Sequence, residues 1–177
     1  VYWGWIEGHD LLQVIDSLES RPEVNADQIG AVGLSAGAHF ALNAAHLEPG
    51  RIIALWLDGL QAQRIEDFPE PQNIGERFAT LINALILKSA QWYLGLNAPP
   101  AFVDILADPD LDHVNMVIVA GGLDDFESRV SQKYAQAAGE NAQVWLIDGA
   151  WHVGGQVVAP EDYAQRMLAF FDRYLNE

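Results

Sequence analysis

The pentapeptide Gly33-Leu34-Ser35-Ala36-Gly37 constrains this chain more than any other stretch, because here a G-x-S-x-G pattern joins two segments of opposite character. Before it, Ile29 to Gly33 is a short apolar run that reads as a buried strand. After it, Ala36 to Leu47 is rich in small residues, Ala36, Gly37, Ala38, Ala41, Ala44 and Ala45, so a helix built from it can lie close against a sheet. A serine between such elements occupies a sharp, strained turn. Bulky side chains two residues to either side would clash, and Gly33 and Gly37 are expected to relieve that crowding. The hydroxyl then projects above the sheet, while the amide of Ala36 at the helix start can donate to a developing oxyanion. A serine that merely caps the helix is the simpler alternative. A phosphate-binding loop is disfavoured, since neither G-x-G-x-x-G nor the lysine of a P-loop is present.

The rest of the chain supplies a fold around this turn. With 177 residues, half of them hydrophobic, it is long enough for one sizeable core, and residues 1–177 read as a single domain. Ile52 to Leu57 is continuously apolar, as a strand covered on both faces must be. Strand, helix and strand in succession imply a βαβ unit and a parallel sheet, so the fold class is α/β. Further strands are predicted at 114–120 and 143–147, with the elbow strand at 29–33 and its successor at 52–57. Helical spacing predicts an amphipathic helix from Asp10 to Leu18, another from about Glu127 to Ala138, and a last one from Pro160 that presents Tyr163, Met167, Phe170, Phe171 and Tyr174 to the core. Between about 61 and 113 the pattern is broken by prolines around one helical stretch, Phe78, Leu81, Ile82, Leu85 and Ile86, which reads as a cap-like insertion over the sheet.

A serine hydroxyl is a weak nucleophile until a base takes its proton, and an imidazole acting as that base needs a carboxylate to fix its tautomer. Two later strands end on candidates. Val117 to Ala120 runs into Gly121-Gly122-Leu123-Asp124-Asp125, and Val144 to Ile147 runs into Asp148-Gly149-Ala150-Trp151-His152. Open parallel sheets gather their ligands at these C-terminal strand ends. Asp124 is therefore the expected acid and His152 the expected base, with Asp125 and Asp58 as alternative acids. His9, His39, His46 and His113 read as structural. No His/Asp/Glu cluster has metal-ligand spacing, and no metal or other cofactor is expected.

Acidic side chains outnumber basic ones 25 to 9, giving a formal charge of −16 that would repel phosphate backbones and anionic lipid surfaces. Nucleic acid is therefore not an expected partner. The absence of cysteine removes disulfides, thiolate metal sites and a cysteine nucleophile, and leaves the compartment open. No apolar run reaches the roughly 18 residues of a membrane span, and the start at Val1-Tyr2-Trp3-Gly4-Trp5 lacks the basic and extended apolar regions of a signal peptide. A soluble protein, cytoplasmic by default, is the expectation.

Taken together, these residues resemble the C-terminal portion of an α/β-hydrolase of the dienelactone-hydrolase, prolyl-oligopeptidase-like and acetyl-xylan-esterase-like group. The resemblance spans nearly the whole chain. It is carried by Gly4 to Asp10 before a helix, Gln28 to Gly37, Asp58-Gly59, Gly121 to Asp124, and the turn from Gly149 to His152 before the closing helix. It implies a catalytic triad in the family's chain order, in which Ser35 attacks an acyl carbonyl, His152 acts first as base and then as acid, and Asp124 orients it. Water would hydrolyse the acyl-enzyme so formed. Dienelactone hydrolases use cysteine as nucleophile, so Ser35 points to the esterase or peptidase-like relatives. The expected substrate is a small or medium carboxylic ester, in a pocket roofed by Phe68 to Phe102 and Trp151. A prolyl-oligopeptidase-like peptidase acting on peptides, or a non-catalytic interaction module of the same fold, are the alternatives.

One departure from the family pattern stands out. An α/β-hydrolase has about four strands before the elbow strand, and a loop among them donates the second oxyanion amide. Only 28 residues precede Ile29 here. The elbow strand should then present an unpaired parallel edge, and the expectation is that N-terminal strands lie outside this sequence or that self-association covers the edge.

Overall fold

A computed structural model describes residues 4–94 and 99–176; the expectation at Val1 to Trp3 falls outside them. Four strands, β1 (Gly30–Leu34), β2 (Ala54–Asp58), β3 (Asn115–Gly121) and β4 (Ala142–Ile147), form one sheet in the order β1-β2-β3-β4. Every pairing is parallel, as the βαβ pattern requires. The register aligns Leu34 with Asp58 and Asp58 with Val119, while Gly121 lies beside Ile147. The loops that leave the four strands therefore start at one common edge.

Strand alternation divides the core in two. Leu55, Leu57 and Ile118 point to one side, where they meet Leu12 and Ile15 of α1 (Trp5–Glu19), Leu42 of α2 (Ala36–Leu47), and Val130 and Tyr134 of α5 (Asp125–Ala138). Trp56, Val117 and Val119 point to the other, where α7 (Pro160–Leu175) brings Tyr163, Met167 and Phe170. This is why β2 has to be apolar at every position but its last: all five of its residues are buried. The small residues of α2 serve the close approach they suggested, with Ala38, Ala41, Ala44 and Ala45 all buried.

The first helix begins at Trp5, earlier than the apolar spacing from Leu11 indicates. Its start is set by polar geometry: Gly4 sits at φ 96°, and its amide donates to the Glu7 carboxylate at 3.0 Å. Among the described residues β1 pairs only with β2, and Val32 and Leu34 are exposed, so β1 is an open edge.

The segment at 61–113, expected to cap the sheet, departs from expectation in one respect. Its helix, α3 (Ile74–Leu94), spans 21 residues, yet Ile74, Phe78, Leu81, Ile82, Leu85 and Ile86 all face solvent. The polar and small residues Glu76, Ala79, Thr80 and Asn83 instead border a recess shared with Phe126 and Arg129 of α5. Arg129 holds this arrangement, with Nη2 donating to Glu76 at 3.1 Å and Nη1 to the Glu70 carbonyl at 3.1 Å. Phe102, expected in the roof, is instead wholly buried in α4 (Phe102–Leu106), edge-on to His39 and Tyr134.

Candidate active site

The site is assembled at the shared edge of the sheet. Ser35 follows β1 directly at φ 53°, a left-handed conformation that an L-residue adopts only when its surroundings enforce it. They do so from both sides: the Ser35 amide donates to the Asp58 carbonyl at 2.8 Å, and its carbonyl accepts from the Ala38 amide at 3.0 Å. Gly33 is required, since a Cβ there would lie 2.5 Å from Ala38 Cα and from the Gly37 carbonyl oxygen. Gly37 is not required on that ground. A Cβ at Gly37 would meet nothing within 4 Å, so the expected crowding exists only on the strand side of the turn.

His152 reaches this serine from the loop after β4, across 117 residues of chain, with Nε2 2.9 Å from Ser35 Oγ. The ring is positioned by close packing against Gly59, at φ 71° just after β2, where a Cβ would sit 2.6 Å from His152 Cε1. The next residue, Val153, is held at φ 56°.

The partner of His152 differs from the expected one. Its Nδ1 lies 2.5 Å from Oε2 of Glu127, which is 1% exposed, and the Asp124 carboxylate is turned away to accept the Glu127 amide at 3.0 Å. Asp124 is the N-cap of α5 and Glu127 is the third residue of that helix. In a capping box a glutamate at this position would bond back to the cap amide. Here it is drawn inward, and Oε1 accepts from the Gly121 amide at 2.9 Å where β3 ends. The Glu127 carboxylate thus spans β3 and the His152 loop, whereas Asp124 only starts the helix. Asp125 is used elsewhere, in an ion pair with Arg129 at 2.9 Å.

A signal for Glu127 was present. Glu127, Val130, Ser131, Tyr134 and Ala138 form the buried stripe of α5, so Glu127 is an acid on the inward face of an amphipathic helix. A carboxylate in that position demands a partner.

Asp58 is a second buried carboxylate, 1% exposed, at the end of β2. Its Oδ2 accepts from the Tyr163 hydroxyl at 2.8 Å, and that hydroxyl accepts from Trp56 Nε1 at 2.9 Å. Burial pushes the Asp58 carboxyl above the ordinary aspartate range, opposed by the Tyr163 hydrogen bond, and burial likewise pushes the Tyr163 phenol up.

A cavity of about 280 Å³ opens beside Ser35, lined by Ser35, Ala36, His39, Gln61 and Ala62. His39, one helical turn beyond Ser35, thus faces the cavity. His46 lies 3.7 Å from Asp108, away from the cavity. A larger surface cleft of about 360 Å³, lined by Trp145, Arg166 and Arg173 on the α7 side, holds no pairing of nucleophile and base. Among the described residues no group of three His, Asp or Glu could hold a metal ion, and no helix is long and apolar enough to cross a membrane.

No protein-family model and no curated protein matches the chain. Solved structures do. A dienelactone hydrolase from Anabaena variabilis superposes with a TM-score of 0.63 at 18% identity, over 95% of this chain and 59% of its own. The chain has the α/β-hydrolase fold. An esterase from Pyrococcus furiosus matches with a TM-score of 0.65 at 17% identity, over 98% of this chain and 64% of its own. A 2,6-dihydroxy-pseudo-oxynicotine hydrolase matches with a TM-score of 0.68 at 17% identity, over 98% of this chain and 48% of its own. The chain spans about half to two thirds of the length of these α/β-hydrolases.

Proposed function

We propose that this protein is a serine hydrolase that cleaves carboxylic esters through an acyl-enzyme, with Ser35 as nucleophile, His152 as base and acid, and Glu127 as the orienting carboxylate. The observation that carries the reading is the continuous hydrogen-bond chain from Glu127 through His152 to Ser35. With Nδ1–H donated to Glu127, the lone pair of Nε2 faces the serine hydroxyl. Ser35 Oγ attacks the acyl carbonyl as its proton passes to His152 Nε2, and the charge that develops on the carbonyl oxygen is met by the Ala36 amide at the start of α2. Collapse breaks the bond to the leaving oxygen, which takes the proton from His152 and departs as an alcohol. Water then repeats the sequence, activated by the same nitrogen, and releases the carboxylic acid with Ser35 restored.

Esters are favoured as substrates because solved structures of this fold include a dienelactone hydrolase and an esterase, and because the cavity at Ser35 suits a compact acyl group. Hydrolysis of p-nitrophenyl acetate and butyrate tests the reading. Turnover by the wild type, lost in both Ser35→Ala and His152→Ala, is the expected result; turnover that persists in both variants places the chemistry elsewhere.

A further inference from the structure

We propose that Asp58 is a positioning residue of this site: a second carboxylate, one residue before the glycine on which His152 rests and oriented by Tyr163 and Trp56, that supports the positive charge His152 takes up during turnover. The proposal rests on the serine-hydrolase reading above.

Three observations locate Asp58 in the machinery. Its carbonyl accepts the Ser35 amide at 2.8 Å, so the same residue fixes the backbone of the nucleophile. Gly59, its neighbour, is the surface on which the His152 ring rests. Its carboxylate is oriented by a chain of two hydrogen bonds, Trp56 Nε1 to Tyr163 Oη to Asp58 Oδ2, built from three buried residues of β2 and α7. Four groups form the electrostatic neighbourhood. His152 from the loop after β4 attracts the Asp58 charge, Glu127 from α5 opposes it, Tyr163 from α7 donates to it, and Trp56 of β2 donates to Tyr163. Glu127 contacts the imidazole directly, and Asp58 adds negative potential from the β2 side.

Burial makes the Asp58 charge costly at neutral pH. Its folded ionisation lies above the ordinary value because of burial, so between the unfolded value of about 3.9 and the folded one the native state holds the extra proton. The contribution to stability is complete below that window and is lost as pH rises through the folded value. A neutral amide in this place removes the loss and still accepts from Tyr163.

Asp58→Asn is the test, read as the rate at which a fluorophosphonate labels Ser35 and as kcat/KM for p-nitrophenyl acetate, from pH 4 to pH 9. At pH 8 the variant is expected to be roughly tenfold slower than wild type, the effect of about one pK unit of lost charge support, and to melt at a higher temperature. As pH falls and Asp58 becomes protonated in the wild type, the ratio of the two rates should shrink toward one. A ratio constant across pH, or equal rates at pH 8, overturns the proposal and leaves the hydrolase reading standing. Wild type that is folded but unlabelled at Ser35 overturns both. Tyr163→Phe provides a second line should Asp58→Asn fold poorly. Loss of the hydroxyl removes a bond that favours the charged carboxylate, so this variant should lose the Asp58 charge at a higher pH than wild type does, and its labelling rate relative to wild type should dip between those two values; a ratio constant across pH contradicts the proposal.

Discussion

Two helices of similar apolar content, α2 and α3, are used in opposite ways. In α2 the apolar residues are small and turned inward: Ala38, Leu42 and Ala44 are fully buried against the sheet, and the helix start presents Ser35. In α3 they are large and turned outward, with Leu81, Leu85 and Ile86 each more than half exposed and the helix held mainly through Glu76 at its first turn. The difference teaches that periodicity predicts a helix and its stripe but not what the stripe meets. Burial against the sheet has fixed one helix at the candidate site. Among the described residues the other is tied to α5 through Glu76 and Arg129, and its stripe faces solvent.

This contrast gives a graded set of expectations. The largest concerns the inner region. Glu127→Gln should lower ester hydrolysis by about 10³ to 10⁴-fold, since an amide cannot support the imidazolium and favours the wrong tautomer, while Asp124→Asn should stay within about threefold of wild type. Steady-state kinetics of the two variants decide between the carboxylates. Next is Leu42→Ala, which opens a cavity in the packed core and should cost about 2–5 kcal/mol in urea unfolding. Asp124→Ala removes a helix cap and should cost about 1 kcal/mol by the same measurement, mostly without effect on kcat. The smallest belongs to α3: Leu85→Ala, chemically the same change as at Leu42, should shift stability by no more than about 0.5 kcal/mol. A Leu85 cost near that of Leu42 would show that the α3 stripe is covered in solution and would remove the contrast.

Much of the architecture could be read before the fold was known, for identifiable reasons. Strands covered on both faces must be apolar at nearly every position, and β2 and β3 are, so their place in the sheet was legible. The turn at Ser35 was legible because Gly33 meets backbone atoms, which cannot move aside. The pairing of Ser35 with His152 followed from both residues leaving strands at the same edge. Glu127 was missed because attention to strand ends selects the first carboxylate in the loop, whereas one turn of helix carries the third residue of α5 back under the sheet edge. The outward face of α3 was illegible for a different reason. An amphipathic stripe has the same spacing whether its apolar side is inside or outside, and the orientation depends on Arg129, 53 residues from Glu76.

The central claim is that Glu127, His152 and Ser35 act as one chemical unit, and labelling of the full chain with a fluorophosphonate, followed by peptide mapping, tests it most directly. The account predicts a single adduct on Ser35, formed rapidly in wild type and in Asp124→Asn and slowed by orders of magnitude in Glu127→Gln and His152→Ala. A folded wild-type protein with no adduct on Ser35, or equal labelling of Ser35 in all four proteins, would contradict it.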